Sequence, residues 1–289
     1  MNIAGVPEHF NFPFVILSEK RPKHFQFITC PGGSGEMASL LLQSQKQENL
    51  GEREIVDLAV MLPEAAYTFI DQNPDFKIFG EYTNTAITWG VYVKADSDFQ
   101  KWEDIQGKRF GISRQGSGSE LMAYYAYHNS EWDFNDLKFR VVQNLQGARR
   151  AFNNDEIDVF LWEVLTTQTL VESNEWRQIG TVQGDWPGFV FVGHQQTFFE
   201  NQITYPSFFE ELKWCIREYS RNAEDWAPLV AKRFQLTQLK EQDDLVKGIE
   251  AIEFSEDGQI HEDKYKTLQE VLKNCGKIGN SGQNISPFH

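Results

Sequence analysis

The sequence predicts an α/β fold in two similar halves, with the second half inserted into the first, and three observations support this. Apolar segments of strand length alternate with glycine-bearing turns and helical patterns along the first part of the chain. The alternation restarts after the polar connection Lys94–Asp98 and continues to Val192. Two apolar strands, Ile87–Val93 and Phe189–Val192, bracket this second series and read as crossovers, where the chain leaves one domain and later returns. The expectation is a discontinuous first domain of residues 1–92 and 193–289, an inserted second domain of residues 93–192, and a central ligand cleft.

Taken in order, Asn2–Val6 reads as a first strand and Pro7–Pro13 as a loop carrying His9, Phe10, Asn11 and Phe12. Phe14–Leu17 resumes as an apolar segment, and Phe25–Thr29 is a second strand. That strand runs into the glycine turn Cys30–Glu36, which includes Gly33 and Ser34 and opens a helix. Met37, Leu40 and Leu41 share one face of this helix at i, i+3, i+4. Ile55–Met61 is a strand ending at Leu62-Pro63-Glu64, and the next helix stops before Asn73-Pro74, because the residue before a proline avoids helical angles. Phe76–Phe79 and Ala86–Val93 are strands with Tyr82–Thr85 between them. The mixture implies a mainly parallel sheet.

In the second series, Trp102–Ile105 is a short helix closed by Gly107. Phe110–Ser113, Phe139–Gln143 and Ile157–Leu161 are strands; Leu121–Tyr127 and Gln146–Phe152 are helices. Trp162-Glu163 ends the third of these strands, and a helix through Leu170 follows. Ile179–Val182 leads into Gln183-Gly-Asp-Trp-Pro-Gly188. From Thr197 the pattern is helical and amphipathic, and the Gly/Asn/Ser/Gln tail after Lys277 is expected to be loosely held.

The stretch Lys108–Glu120 carries the strongest local signal. A short strand meets the turn Gln115-Gly116-Ser117-Gly118-Ser119, and a helix starts near Ser117. Ser117 and Glu120 stand in capping-box spacing, each side chain meeting a free backbone N–H at the other's position. Gly116 and Gly118 permit close backbone approach, and a helix start offers bare amides to an anion. Two readings stand: Ser117 caps the helix, or the turn cradles a ligand. The stretch is neither a Walker loop nor a dinucleotide fingerprint, because the Lys-Ser/Thr pair and the third glycine are missing.

At 289 residues the chain accommodates two domains of ordinary size. Its net charge of −15 argues against nucleic acid or an anionic membrane as a main partner. Three scattered cysteines make neither a disulfide framework nor a zinc site, and the six histidines show no metal spacing, so no cofactor or metal is expected. No apolar run reaches membrane-spanning length, and the first residues lack a basic region followed by an apolar one. The expectation is a cytoplasmic protein with a small-molecule ligand; a transporter partner is not implied, and nothing specifies oligomeric state.

Four ordered motifs carry a family resemblance: Tyr82-Thr-Asn-Thr-Ala-Ile-Thr-Trp89, Gly111-Ile-Ser-Arg-Gln-Gly-Ser-Gly-Ser119, Phe160-Leu-Trp-Glu-Val-Leu-Thr-Thr167, and Ile179-Gly180 followed by Trp186-Pro187. Their order resembles the type II periplasmic-binding-protein fold, in the branch of nitrate, sulfonate and bicarbonate receptors and thiamine-precursor proteins. It is closest to a yeast and bacterial family that lacks an export signal. The resemblance spans Ile55 to Val192 and departs from the family pattern at Gln183-Gly184-Asp185, where a Thr/Pro-type turn is more usual. It implies a two-lobed protein that closes around a small ligand.

Ligands of such folds lie at the carboxyl ends of strands. The candidate binding residues there are His9, Asn11, Phe12, Gly33, Ser34, Glu64, Thr85, Trp89, Arg114, Gly116, Ser117, Gly118, Ser119, Asn144, Trp162, Glu163 and Trp186. Trp89, Trp162 and Trp186 are either stacking walls for a flat ring or ammonium group, or core. Glu163 meets either a ligand amine or a cation of its own lobe, Arg114 or Lys108. Arg114 holds an anion or joins a structural ion pair, Glu64 answers a helix dipole, and His9 is a ligand donor or an exposed loop residue. These side-chain types fit a heteroaromatic amine such as a pyrimidine, a thiamine precursor, or a small sulfonate or carboxylate. A binder is favoured over an enzyme, and no catalytic residue is assigned. The alternative is an enzyme on the same fold, of the pyrimidine-synthase or menaquinone-pathway kind, with Asn11 or Glu163 assisting proton transfer.

Overall fold

The computed structural model describes residues 1–46, 55–200, 204–234, 242–255 and 258–279. The tail from residue 280 onward, expected to be loosely held, lies outside them. The strands are β1 (Asn2–Gly5), β2 (Gln26–Thr29), β3 (Leu58–Met61), β4 (Phe76–Thr83), β5 (Thr88–Lys94), β6 (Arg109–Ile112), β7 (Lys138–Val141), β8 (Val159–Glu163), β9 (Trp176–Gln183) and β10 (Phe189–His194). The helices are α1 (Phe12–Lys20), α2 (Ser34–Lys46), α3 (Pro63–Gln72), α4 (Gly118–Asn129), α5 (Leu145–Asn153), α6 (Val164–Glu172), α7 (Gln195–Glu200), α8 (Thr204–Arg221), α9 (Ala223–Phe234), α10 (Gln242–Glu250) and α11 (Lys266–Asn274). They form two compact units: Met1–Thr85 with Pro187–Glu262, and Ala86–Trp186 with Asp263–Asn280.

The first unit is built on a sheet of order β2-β1-β3-β10-β4. β1 runs parallel to β2 and β3, whereas β10 is antiparallel to both its neighbours. All four residues of β3 are buried, as expected for a strand covered on both faces. The core is aromatic: Phe14 lies 5.7 Å from Phe27 and 4.8 Å from Tyr82, and Phe191 meets Phe208 at 5.9 Å. The Tyr82 hydroxyl is buried and donates to the Phe10 carbonyl at 2.6 Å. The stretch expected to be a loop and an apolar segment, Pro7–Leu17, is instead a 3₁₀ turn at His9–Asn11 followed by α1. Phe12 to Leu17 are all buried, so the helix carries no polar stripe for a sequence pattern to reveal.

The second unit repeats the plan, with order β7-β6-β8-β5-β9. β6 is parallel to β7 and β8, and β5 is antiparallel to β8 and β9. Each sheet is thus mainly parallel with one reversed strand, fourth in order. Tyr92, Phe152, Phe160 and Trp176 form the centre of its core. A Cβ on Gly90 would stand 2.0 Å from the Tyr92 hydroxyl, so glycine makes room for that ring on the same strand. The Thr167 hydroxyl bonds to the buried Tyr92 hydroxyl and to the Glu163 and Val164 carbonyls. Thr167→Val orphans the tyrosine hydroxyl and is expected to cost about 1–3 kcal/mol in urea denaturation, with Tyr92→Phe in the same background recovering part of that loss. Trp102–Ile105 forms a 3₁₀ turn rather than a regular helix.

Candidate functional site

In the second unit, the turn between β6 and α4 is organised by its own hydrogen bonds. Gly116 has φ +71°, a conformation that favours glycine, with open space where a Cβ would stand. Ser117 accepts from the Glu120 amide at 3.4 Å, so it caps α4. The second half of the expected capping box is displaced by one residue. The Glu120 carboxylate takes the Gly116 amide at 2.6 Å, because the Ser117 amide already bonds the Arg114 carbonyl at 3.3 Å. Ser119 accepts from the Ser113 amide at 3.0 Å and touches the Ser117 hydroxyl at 3.0 Å. Both hydroxyls are buried and hold the turn together. The amides of Gly118 and Ser119 open the helix, where no preceding turn supplies an acceptor.

Arg114 stands out on this turn. It is partly buried, and its guanidinium has no hydrogen-bond or carboxylate partner among the described residues. Burial draws its pKa below the ordinary arginine value. The ion pair with Glu163 that the sequence left open is not formed. Glu163 instead caps α6, accepting from the Thr166 amide at 3.0 Å. Two acids of this unit have other partners. Glu120 meets Lys277 Nζ at 2.8 Å through both oxygens, and Asp185 accepts from Tyr125 at 3.1 Å and Thr267 at 3.3 Å.

The same strand-end edge holds the rest of the second unit's candidates. Trp89 pairs across the sheet with Glu163 and Val182. Trp162 is half-buried, stacked on Phe160 at 5.1 Å. Asn144 is exposed and caps α5, accepting from the Gly147 amide at 2.9 Å. Trp186 is buried with its ring edge-on to Tyr125 at 4.9 Å, and Trp89 is also buried, so Trp162 is the most open of the three tryptophans. Lys277, Tyr125 and Thr267 support this edge without a signal in the sequence, since nothing local marks a partner as far off as Glu120 is from Lys277, 157 positions away.

In the first unit, the candidates stand at the corresponding strand ends, but several are committed to the fold. Phe12 packs among Tyr219, Trp226 and Phe234 at 5.7–6.0 Å. Thr85 accepts from the Glu253 amide at 2.7 Å. Gly33 has φ +68°, Ser34 is buried and accepts weakly from the Leu62 amide at 3.4 Å, and Glu64 is buried in the first turn of α3. Asn11 is fully buried; its Nδ2 donates to the Val6 carbonyl at 2.9 Å, and its Oδ1 has no partner among the described residues. His9 is partly buried, and burial pulls its pKa down to about 4, so the ring is neutral at pH 7. The unfolded chain takes up that proton first, near 6.5, so stability falls as the pH drops from 6.5 toward 4. Allowing for the ring's residual exposure, the loss is about 2 kcal/mol, and His9→Gln is expected to flatten that part of the pH–stability curve.

Two features offer no chemistry. The Cys30 and Cys215 thiols are pushed up to about 12 by burial and are protonated at neutral pH. A cavity of about 230 Å³ in the second unit lies between Lys94 on β5 and Trp176 on β9, at the sheet edge away from the β6–α4 turn. Its charged groups are already paired, Lys94 with Asp96 and Glu175 with Arg149.

Residues 86–182 match the family described as Ca3427-like PBP, a span that falls within the Ala86–Trp186 part of the second unit. No curated protein is significantly similar in sequence. Among solved structures, the Candida albicans CA3427 gene product, described as defining a family with the generic periplasmic binding protein fold, has a TM-score of 0.82 at 22% identity over 99% of this chain and 92% of that one. The alkanesulfonate-binding protein SsuA of Xanthomonas axonopodis pv. citri, bound to MOPS, scores 0.76 at 12% identity over 97% and 94%. The aliphatic sulphonate binding protein SsuA of Escherichia coli scores 0.73 at 13% over 96% and 88%. Two five-stranded sheets, each with its fourth strand reversed, agree with that likeness: the chain has the type II periplasmic-binding-protein-like fold, and its residues 86–182 match the Ca3427-like PBP family.

Proposed function

We propose that the protein binds a small organic anion, a sulfonate or carboxylate, whose charged group docks on Arg114 and whose body rests against Trp162. The observation that carries this is the partly buried guanidinium on the β6–α4 turn, which has no partner among the described residues. A cation drawn from water without a counter-charge is costly, and an anionic ligand supplies the missing partner in bidentate geometry. The N-terminus of α4, at Gly118 and Ser119, adds to the same polarity. The likeness to sulfonate-binding proteins supports this chemical class. An amine ligand for Glu163 is disfavoured, because that carboxylate serves as a helix cap.

The test is a calorimetric and thermal-shift series with propane-1-sulfonate, butyrate, an uncharged sulfone of the same shape, and an aminopyrimidine. The two anions are expected to bind and raise the melting temperature, and the sulfone to do neither. Binding of the aminopyrimidine alone would overturn the proposal.

A further inference from the structure

The β6–α4 turn presents a contradiction. It carries an arginine with no partner among the described residues, yet six residues later, in the first turn of α4, stands a buried carboxylate, Glu120, which accepts from the Gly116 amide at 2.6 Å. Left alone, that carboxylate would attract Arg114 and repel any incoming anion. The C-terminal segment supplies a counter-charge. Lys277 Nζ lies 2.8 Å from each Glu120 oxygen, with the Glu120 side chain only 5% exposed.

The position of Lys277 is built into the fold. α11 ends in a Schellman motif: the Gly276 amide bonds the Lys273 carbonyl at 3.0 Å, and the Lys277 amide bonds the Leu272 carbonyl at 2.8 Å. Gly276 has the positive φ, +69°, that this turn needs. Leu268, Val271 and Leu272 are buried, and Thr267 ties the start of the helix to Asp185. The ammonium group also lies 5.9 Å from the Tyr124 ring centroid on α4.

We infer that Lys277 is a positioning residue that neutralises Glu120 and thereby keeps Arg114 free for an anionic ligand. This rests on the proposal that Arg114 binds that ligand. Propane-1-sulfonate is the probe, measured by calorimetry, with folding stability measured separately in urea. Lys277→Met is expected to weaken binding at least tenfold. Glu120→Gln/Lys277→Met is expected to return affinity to within about threefold of the original while stability stays low, a split that a purely structural role would not produce. Lys277→Arg should bind as the original does. Glu120→Gln alone keeps an acceptor for the Gly116 amide and leaves Lys277 uncompensated, so it is expected to tighten binding severalfold; this arm holds even if Lys277→Met fails to fold. Unchanged affinity in both Lys277→Met and Glu120→Gln would overturn the inference and leave the ligand proposal standing. A protein that does not bind the probe, or an Arg114→Met variant that binds it equally well, would sink the ligand proposal and this inference together.

Discussion

Arg114→Met is expected to abolish most anion affinity while leaving the ligand-free protein as stable as before, or more so. Removing one partner of a charge-assisted contact costs about 2–4 kcal/mol, roughly 30- to 1,000-fold in affinity. The folded state without ligand behaves in the opposite way. The guanidinium has no partner among the described residues, and burial disfavours its charged form, so methionine relieves a cost of desolvation. Binding sites commonly give up stability in this way. Calorimetry with propane-1-sulfonate and urea denaturation of the same two proteins check both halves. A variant that loses stability yet keeps its affinity would identify Arg114 as a structural residue.

Gly147→Ala is expected to give the largest loss of stability. A Cβ there would stand 1.7 Å from the Val142 carbonyl oxygen, a backbone atom that cannot swing aside. Relieving the clash means moving the start of α5 off the end of β7. That breaks the Asn144 cap, whose side chain holds the Gly147 amide. Overpacking and the lost cap together cost about 3–4 kcal/mol. For a unit of about a hundred residues this corresponds to a fall in melting temperature of roughly 12–32 °C. Gly180→Ala is the control: no atom stands within 4 Å of its Cβ position, and a change within about 0.5 kcal/mol is expected. Equal melting of the two variants would mean that the α5 start adjusts freely.

Much of the second unit was legible in the sequence because its elements announce themselves locally. The turn Gly116–Ser119 was marked by its glycines and by Ser117 three residues ahead of Glu120. Asn144, Trp162 and Glu163 were marked by their place just after apolar runs. The site's internal wiring was harder to read. Ser117 and Glu120 were matched to each other, but the Arg114 carbonyl competes for the Ser117 amide, and the carboxylate moves on to Gly116. In the first unit, Phe12 looked like a loop residue because a helix buried on all its hydrophobic positions has no amphipathic rhythm.

The sequence by itself determined the α/β class, the order of the elements in the second unit and the turn that carries Arg114, since period, glycine and capping signals act over a few residues. Only the tertiary structure decided which charges on that turn are spent. Lys277 reaches Glu120 from the far end of the chain, while Glu163 turns to its own helix and Arg114 is left without a partner among the described residues. Such pairings depend on distances in space, and the free energy of a charge is set by the groups and the water around it, which no local spacing encodes.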